Sequence, residues 1–282
     1  MFETIAIAGV GLIGGSFALA MRKAGFRGAI WGVSSPATVQ AALDHRIIDR
    51  GVTIEEAAAE ADLIYLAQPI LRIIRVLEQL RVLTLKPDAL ITDAGSTKVT
   101  ILETARRCLP PGAFLGGHPM AGKETRGPEN AEADLFVDRT YFLTGNCESG
   151  AGEEFRSWVE KIGGVPVNID AETHDKVVSL TSHLPQLLST ALGATVGQHL
   201  PMEQARVGAG RGLMDMTRLA LSGYDIWEEI VATNTQAIDV ALSLYISELE
   251  KIRAGLTTGG LVPPFELGRN FAKSLRTPIR RQ

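Results

Sequence analysis

His118 is the side chain in this sequence best suited to proton transfer. Imidazole titrates near neutrality, so it can take a proton from a hydroxyl group while hydride leaves the carbon that carries it. His118 directly follows a short apolar segment, residues 114–117, that is predicted to be a strand, and it precedes Pro119. Ligands of open α/β sheets bind at the carboxyl ends of strands, so we predict a catalytic role for His118.

A hydroxyl group follows a second predicted strand. Ser96 lies three residues beyond the apolar segment 89–93, and its hydroxyl could face the same crevice as His118. It could also cap the helix predicted from Val99, because serine is a favoured residue at helix N-termini. The two roles are compatible, and the sequence leaves both open.

A glycine-rich turn lies between the strand predicted over residues 4–8 and the helix that follows it. The first glycine of such a turn allows a tight bend, the second lets the backbone approach a pyrophosphate, and the third lets the helix pack on the strand. The helix N-terminus adds N–H groups and a positive dipole. The residues of this turn predicted to bind a dinucleotide are Gly9, Gly11, Leu12, Ile13 and Gly14.

The end of the second predicted strand carries hydroxyl groups where NAD enzymes usually place a carboxylate. Ser34 and Ser35 stand at this position, with Thr38 close behind them. A carboxylate would repel a 2′-phosphate, whereas hydroxyls can bind one, so the pattern favours NADP over NAD. No arginine follows directly to neutralise that phosphate, and NAD therefore remains possible. Pro69 and Ser96 are also predicted to contact the cofactor.

The elements that position these residues alternate between strand and helix as far as about residue 170. Such alternation indicates βαβ crossovers and a doubly wound, largely parallel sheet, so the fold class is α/β. Beyond it the pattern is all-α, which predicts domains over residues 1–170 and 171–282. A helix is expected over 171–200, kinked at Pro185. Residues 225–254 read as one helix of about 45 Å that needs a partner subunit as cover, the alternative being a helix that breaks midway.

The composition gives no sign of nucleic-acid binding, a membrane span or a metal site. The 282 residues carry a formal net charge of −4, so no basic field predicts nucleic-acid binding. The apolar stretch near the start is far shorter than the roughly 20 residues of a membrane span, and no basic segment precedes it as in a signal peptide. We therefore expect a cytoplasmic protein without a membrane partner. Cys108 and Cys147 match no metal-ligand spacing, so no metal site is predicted.

Several motifs occur together in a specific order. They are Gly9-x-Gly11-x-x-Gly14 with Ser16, Asp93-x-Gly95-Ser96-x-Lys98, the segment GGHPMAG at residues 116–122, the segment SHLP at 182–185, and Asp215-x-Thr217-Arg218 with Trp227. This ordered set, which spans residues 5–240, resembles the prephenate/arogenate dehydrogenases of tyrosine biosynthesis. The GGHPMAG and SHLP elements are specific in combination, whereas the glycine turn alone is not.

The resemblance implies a Rossmann-type N-terminal domain, a helical C-terminal dimerisation domain and a homodimer. It also implies oxidative decarboxylation of a cyclohexadienyl substrate, prephenate or arogenate, with hydride transfer to NAD(P). In this family the histidine that matches His118 assists deprotonation of the ring hydroxyl, and the serine that matches Ser96 orients it. The arginine that matches Arg218 pairs with a substrate carboxylate, which suits a planar guanidinium.

Two departures from the family pattern bear on the substrate. Lys123 stands where some members have threonine, and Gln186 stands where some prephenate enzymes have histidine. Lys123 beside the ammonium group of arogenate would cost Coulomb energy, whereas Glu124 could bind that ammonium. His183 is either a cleft residue or a structural histidine. The substrate stays open, and the context of Ser34, which resembles NADP-using arogenate enzymes, tips the interpretation toward arogenate.

Two other readings share parts of this pattern. A β-hydroxyacid dehydrogenase or imine reductase has the same two-domain plan but uses a lysine on a long helix, and the helix predicted over 171–200 offers only Lys176 near its start. A non-enzymatic nucleotide-sensing protein would leave His118 and Arg218 unexplained. Fold analogy alone does not choose among the three.

Overall fold

The fold is built around one sheet. A computed structural model describes residues 1–123, 125–145 and 150–277. The strands in these ranges are β1 (Thr4–Ala8), β2 (Ala29–Val33), β3 (Arg50–Gly51), β4 (Leu63–Leu66), β5 (Leu90–Asp93), β6 (Phe114–Pro119), β7 (Thr140–Thr144) and β8 (Val165–Asn168). Their order across the sheet is β3-β2-β1-β4-β5-β6-β7-β8.

The sheet is largely parallel, as the alternation of elements predicts. β3, β2, β1, β4, β5 and β6 run in one direction, and only β7 with its parallel neighbour β8 runs against β6. The chain leaves β1 first toward β2 and β3, then returns to place β4 on the other side of β1. This reversal of strand order is the doubly wound arrangement that opens a crevice at the carboxyl ends of the strands.

Helices cover both faces of the sheet. The helices in the described ranges are α1 (Leu12–Lys23), α2 (Pro36–Asp44), α3 (Ile54–Glu60), α4 (Ile70–Leu80), α5 (Val99–Cys108), α6 (Gly150–Lys161), α7 (Ala171–Val178), α8 (Leu184–His199), α9 (Met202–Gly208), α10 (Arg211–Thr217), α11 (Tyr224–Thr233), α12 (Thr235–Thr258) and α13 (Val262–Leu275). Along β1, Ile5 and Ile7 join one apolar cluster, while Ala6 and Ala8 join a second on the opposite face. A strand buried on both faces explains the continuous apolar run in the sequence.

The strand that carries His118 is longer than predicted. β6 continues to Pro119, so His118 lies inside the strand, opposite Phe142 of the antiparallel β7, and not beyond the strand's end. The cause is tertiary: β7 extends further than β5, and only Phe114 and Leu115 of β6 pair with β5. The prediction also missed β3 and α3, although α3 begins with a capping box between Thr53 and Glu56.

The helical stretch predicted over residues 171–200 is continuous but irregular. A π-helical turn, Ser179–His183, joins α7 to α8, and Pro185 lies in the first turn of α8. Proline lacks an N–H and its ring crowds the carbonyl four residues earlier, so a wider turn is a way to continue the helix past it. The predicted kink at Pro185 is therefore this π turn.

The single long helix predicted over residues 225–254 is wrong. α11 ends at Thr233 and α12 begins at Thr235, with Asn234 outside helical geometry at φ −134° and ψ 27°. The Asn234 side chain donates a hydrogen bond to the backbone oxygen of Asp175 at 2.9 Å. This distant contact selects the alternative of a helix that breaks midway, so the need to cover a 45 Å helix no longer argues for a partner subunit.

Contacts within the chain define two compact units, Met1–Thr235 and Gln236–Gln282. The predicted domain boundary near residue 170 stays a prediction. In the second unit, α12 and α13 expose many large apolar side chains, among them Leu244, Leu249, Phe265 and Phe271. Over the described ranges, no helix combines the length and apolar character that crossing a membrane would need.

Candidate active site

The three glycines of the motif between β1 and α1 each meet a different steric requirement. Gly9 has φ +94°, and a Cβ there would lie 2.6 Å from the Gln68 side chain. A Cβ on Gly14 would collide with the Gly9 carbonyl oxygen and lie 2.8 Å from Ile7. A Cβ on Gly11 would meet no atom within 4 Å. Gly9 and Gly14 therefore keep the turn tight, and Gly11 leaves open space above it.

That open space belongs to a cleft of about 720 Å³ at the carboxyl ends of β1, β2 and β4. Gly9, Gly11, Ser34, Ser35 and Pro69, all predicted as cofactor residues, line it. Leu12 and Ile13 lie in the first turn of α1 and pack against the apolar core. The Gln68 Oε1 atom is buried without a hydrogen-bond partner in the described structure. The glycine turn, the helix N-terminus and this unsatisfied acceptor fit a dinucleotide.

The far end of the cleft is lined by hydroxyl and arginine side chains. Ser35 caps α2, accepting a hydrogen bond from the Thr38 backbone at 3.3 Å, and its hydroxyl lies 2.9 Å from that of Thr38. Arg72 and Arg75 of α4 line the same cleft. None of the lining residues in the described ranges is acidic. The sequence could not place these arginines, because α4 follows β4 and reaches the end of β2 only through the sheet order.

His118 lies in a buried cluster of titratable groups. Its Nδ1 atom is 2.8 Å from Nε2 of His174, and Nδ1 of His174 is 2.8 Å from Oδ1 of Asp175. All three residues are buried. Burial holds the pKa of His118 well below its ordinary value of 6.5, and the nearby His174, Lys98 and His183 lower it further. A neutral imidazole is therefore the resting form, which is what a proton acceptor needs.

A buried ion pair joins the end of β5 to β6 beside His118. Lys98 and Asp93 pair in the interior of the protein. The Lys98 ammonium also donates to the backbone oxygen of Gly117 at 2.7 Å, and the Gly117 N–H donates to Asp93 at 3.0 Å. Burial lowers the pKa of Lys98, and the Asp93 charge opposes that shift. The pair thus holds the loop after β5 against the residue that precedes His118.

The N-terminus of α5 is capped from a distant element. The Asp175 carboxylate accepts hydrogen bonds from the backbone N–H groups of Lys98 at 2.7 Å and Val99 at 3.0 Å. Ser96 contributes no side-chain cap to this helix. It lies half-buried in the loop between β5 and α5. Of the two roles left open for Ser96, the cap is therefore filled by Asp175.

Gln186 supports the turn that carries Arg218. Its amide nitrogen donates to the backbone oxygen of Leu219 at 2.8 Å, and Ser189 accepts from the backbone of Ala220 at 2.9 Å. These contacts attach the 3₁₀ turn Arg218–Leu221 to α8. Arg218 begins that turn and is exposed. A role for Gln186 or Arg218 in substrate binding stays a prediction.

His183 makes contacts typical of a structural histidine. It is buried in the π turn, its Nδ1 lies 3.3 Å from the Asn234 amide, and its ring meets Trp227 edge-on at 5.9 Å. Burial lowers its pKa to about 4, although Asp175 opposes the shift. The sequence left a cleft role and a structural role open, and these contacts favour the structural role.

The loop after β6 holds the remaining predicted substrate residues. Lys123 forms an ion pair with Glu132, and both line a cavity of about 360 Å³. Glu124 lies outside the described residues. Among the residues that are described, no group of three or more His, Cys, Asp or Glu side chains could hold a metal ion. Cys108 is buried with a free thiol, and Cys147 also falls outside the described part.

Comparison with protein families decides what these features serve. Residues 17–168 match the family model described as prephenate dehydrogenase, nucleotide-binding domain, and residues 170–261 match its dimerization domain. The chain belongs to the prephenate dehydrogenase family. It is therefore an enzyme that oxidatively decarboxylates a cyclohexadienyl substrate and transfers hydride to a nicotinamide cofactor. This membership excludes a nucleotide sensor and the related hydroxyacid or imine enzymes.

Individual family members differ in their named substrates. A cyclohexadienyl dehydrogenase from Zymomonas mobilis is 32% identical over 267 residues, which cover 92% of this chain and 90% of that protein. A prephenate dehydrogenase from Aquifex aeolicus, solved with hydroxyphenyl propionate and NAD⁺, superposes with a TM-score of 0.88 at 28% identity, covering 97% of each chain. An arogenate dehydrogenase from Synechocystis superposes with a TM-score of 0.82 at 28% identity, covering 96% and 98%.

The glycine geometry predicts opposite effects for the same substitution at two positions. Gly14→Ala should destabilise the protein by about 1–3 kcal/mol, because overpacking outweighs the usual gain from replacing a helical glycine. Gly11→Ala should leave stability nearly unchanged and weaken dinucleotide binding about tenfold or more, because its Cβ enters the open space of the cleft. Urea unfolding and cofactor titration measure the two effects. Equal stability losses in both variants would contradict the steric assignment.

Proposed function

We propose that this enzyme acts on arogenate in preference to prephenate, prefers NADP⁺ to NAD⁺, and uses His118 as its catalytic base. The observation that carries the catalytic assignment is the environment of His118. It is buried at the carboxyl edge of the parallel sheet, is kept neutral by that burial, and has Nδ1 engaged by His174. The other ring nitrogen, Nε2, is then the one that would meet the substrate hydroxyl.

In this mechanism His118 moves one proton and returns it. Nε2 accepts the proton of the ring hydroxyl while the C–H bond of the same carbon breaks and hydride departs. The bound nicotinamide supplies the hydride acceptor. The ring carboxylate leaves as CO₂, its bonding electrons complete the aromatic ring, and His118 returns the proton to the phenolic oxygen. Only hydride and CO₂ leave the substrate, so atoms and electrons balance.

Ser96 and Arg218 are assigned supporting roles. Ser96 lies in the loop that the Asp93–Lys98 pair holds against β6, which supports its role in orienting the hydroxyl beside His118 and in contacting the cofactor. Arg218 stands on a turn secured by Gln186 and would bind a substrate carboxylate. A homodimer is proposed from the matched dimerization domain and the exposed apolar side chains of α12 and α13. The cytoplasmic location expected from the sequence stays a prediction.

The charge of Lys123 bears on the choice of substrate. Lys123 beside the ammonium of arogenate would oppose binding if the lysine were uncompensated. Glu132 pairs with it, which removes most of that objection. Gln186 stays proposed near the substrate side chain, with Glu124 as a candidate partner for the ammonium, whereas the contacts of His183 support a structural role. The proposal predicts a higher kcat/KM for arogenate than for prephenate when each is assayed with both cofactors.

Replacing His118 tests the catalytic assignment. His118→Asn should lower kcat by about 10²–10⁴-fold, because general-base assistance is lost. Cofactor affinity should hardly change, since His118 lies outside the glycine cleft. The control is His45→Asn, the same substitution at an exposed histidine at the end of α2. The absorbance of the reduced cofactor measures turnover. A turnover rate of His118→Asn close to the wild-type rate would overturn the assignment.

The cofactor preference rests on Ser34, Arg72 and Arg75. Arg72→Gln should lower kcat/KM with NADP⁺ about tenfold, because a charge-assisted hydrogen bond to the 2′-phosphate is lost, and leave the value with NAD⁺ nearly unchanged. Ser34→Asp should shift the preference toward NAD⁺ by repelling that phosphate. Arg81→Gln, on the exposed end of the same helix, is the control. A wild-type preference for NAD⁺, or equal losses with both cofactors in Arg72→Gln, would refute the proposal.

A further inference from the structure

A buried chain of three side chains runs from β6 into α7. His118 Nδ1 contacts His174 Nε2 at 2.8 Å, and His174 Nδ1 contacts Asp175 Oδ1 at 2.8 Å. We infer that His174 and Asp175 are positioning residues that fix the tautomer of His118 and leave its Nε2 unprotonated toward the substrate. The inference deepens the proposed function, because it rests on the role of His118 as the base.

Asp175 sets which atoms donate and which accept along this chain of hydrogen bonds. Both of its oxygens already accept backbone N–H groups at the start of α5, from Lys98 and from Val99. A carboxylate that accepts through both oxygens has no proton of its own to donate. Nδ1 of His174 must therefore donate to Asp175. Neutral imidazole carries a single N–H, so Nε2 of His174 is left as an acceptor.

The proton of His118 is placed by its contact with His174. Because His174 Nε2 accepts, His118 Nδ1 must carry the proton that fills the 2.8 Å contact. The lone pair of neutral His118 is then on Nε2, the nitrogen that the proposed mechanism uses. In the opposite tautomer Nε2 would carry a hydrogen and could not act as a base. The carboxylate thus sets the protonation of an atom two side chains away.

The hydrogen-bond chain from His118 to Asp175 also affects the positive charge that forms on His118 during turnover. When Nε2 takes a proton, His118 becomes a cation in a buried environment where Lys98 and His183 already disfavour it. Asp93 pairs with Lys98, so the carboxylate connected to His118 through hydrogen bonds is that of Asp175. A carboxylate held behind an imidazole stabilises the imidazolium without itself becoming protonated. His174 is the link that carries this stabilisation.

Asp175→Asn tests the donor and acceptor roles along the hydrogen bonds from Asp175 to His118. With its NH2 group in the place of Oδ1, asparagine gives up the hydrogen bond from the Lys98 backbone and donates to His174 Nδ1, which makes His174 Nε2 a donor and moves the proton of His118 to Nε2. We expect kcat to fall about 10²–10⁴-fold, with KM for substrate and cofactor within about threefold of wild type. Unfolding measurements report the separate loss of an α5 capping interaction. Unchanged kcat in a folded Asp175→Asn variant would contradict the inference.

Two substitutions of His174 provide a matched pair that leaves the α5 cap intact. His174→Gln keeps an oxygen that can accept from His118 Nδ1, and we expect its kcat to stay within about tenfold of wild type. His174→Leu removes every hydrogen-bonding group, and we expect a loss of about 10²-fold or more. Both variants remove the ring and share its packing loss. Equal kcat values in the two variants would show that His174 acts through packing alone.

Nitrogen-15 NMR of the histidine rings reads the tautomer directly in the enzyme without substrate or cofactor. Wild-type His118 should show a protonated Nδ1 and an unprotonated Nε2, and Asp175→Asn should reverse the two, while exposed His45 serves as the reference signal. A wild-type His118 protonated on Nε2 would overturn the inference. The spectrum needs no turnover, so failure of the base assignment, detected with His118→Asn, is distinguishable from failure of the tautomer assignment.

Discussion

The carboxylate of Asp175 joins parts of the chain that are far apart in sequence. It caps α5 through the backbone of Lys98 and Val99, and it binds the ring of His174. The backbone oxygen of the same residue accepts from Asn234, at the break between α11 and α12. A buried carboxylate is costly unless hydrogen bonds replace its water. These contacts supply them, so the position of α7 against the sheet and the orientation of His118 depend on one another.

The dinucleotide cleft and His118 lie at two places along the carboxyl edge of the sheet. The reversal of strand order at β1 and β4 opens the dinucleotide cleft, where glycine is required at Gly9 and Gly14 for space and at Gly11 for access. Next along the sheet, the Asp93–Lys98 pair joins the end of β5 to Gly117 of β6, beside His118. Because both places lie on one sheet, the separation between the glycine turn and His118 is set by backbone pairing.

Sequence reasoning succeeded where the signal is local. The glycine turn and the buried strands follow from short patterns that each need only a few neighbouring residues. It failed where a distant contact decides the local structure. Asn234 interrupts a helical pattern because its side chain binds Asp175, and β6 extends past Gly117 because β7 pairs with it. The sequence does not place His174, Asp175 or Arg72 for the same reason, since only the folded chain brings them to His118 and the cleft.

The central claim is that burial keeps His118 neutral and ready to accept a proton. Its pKa lies well below 6.5 because the charged form loses its hydration. A base works in its unprotonated form, so activity is present above this pKa and is lost as the pH falls through it. The most direct test is the pH dependence of kcat/KM with saturating cofactor. We expect kcat/KM to hold down through pH 6.5 and to fall only below it, and a half-maximal value at or above pH 6.5 would contradict a neutral His118.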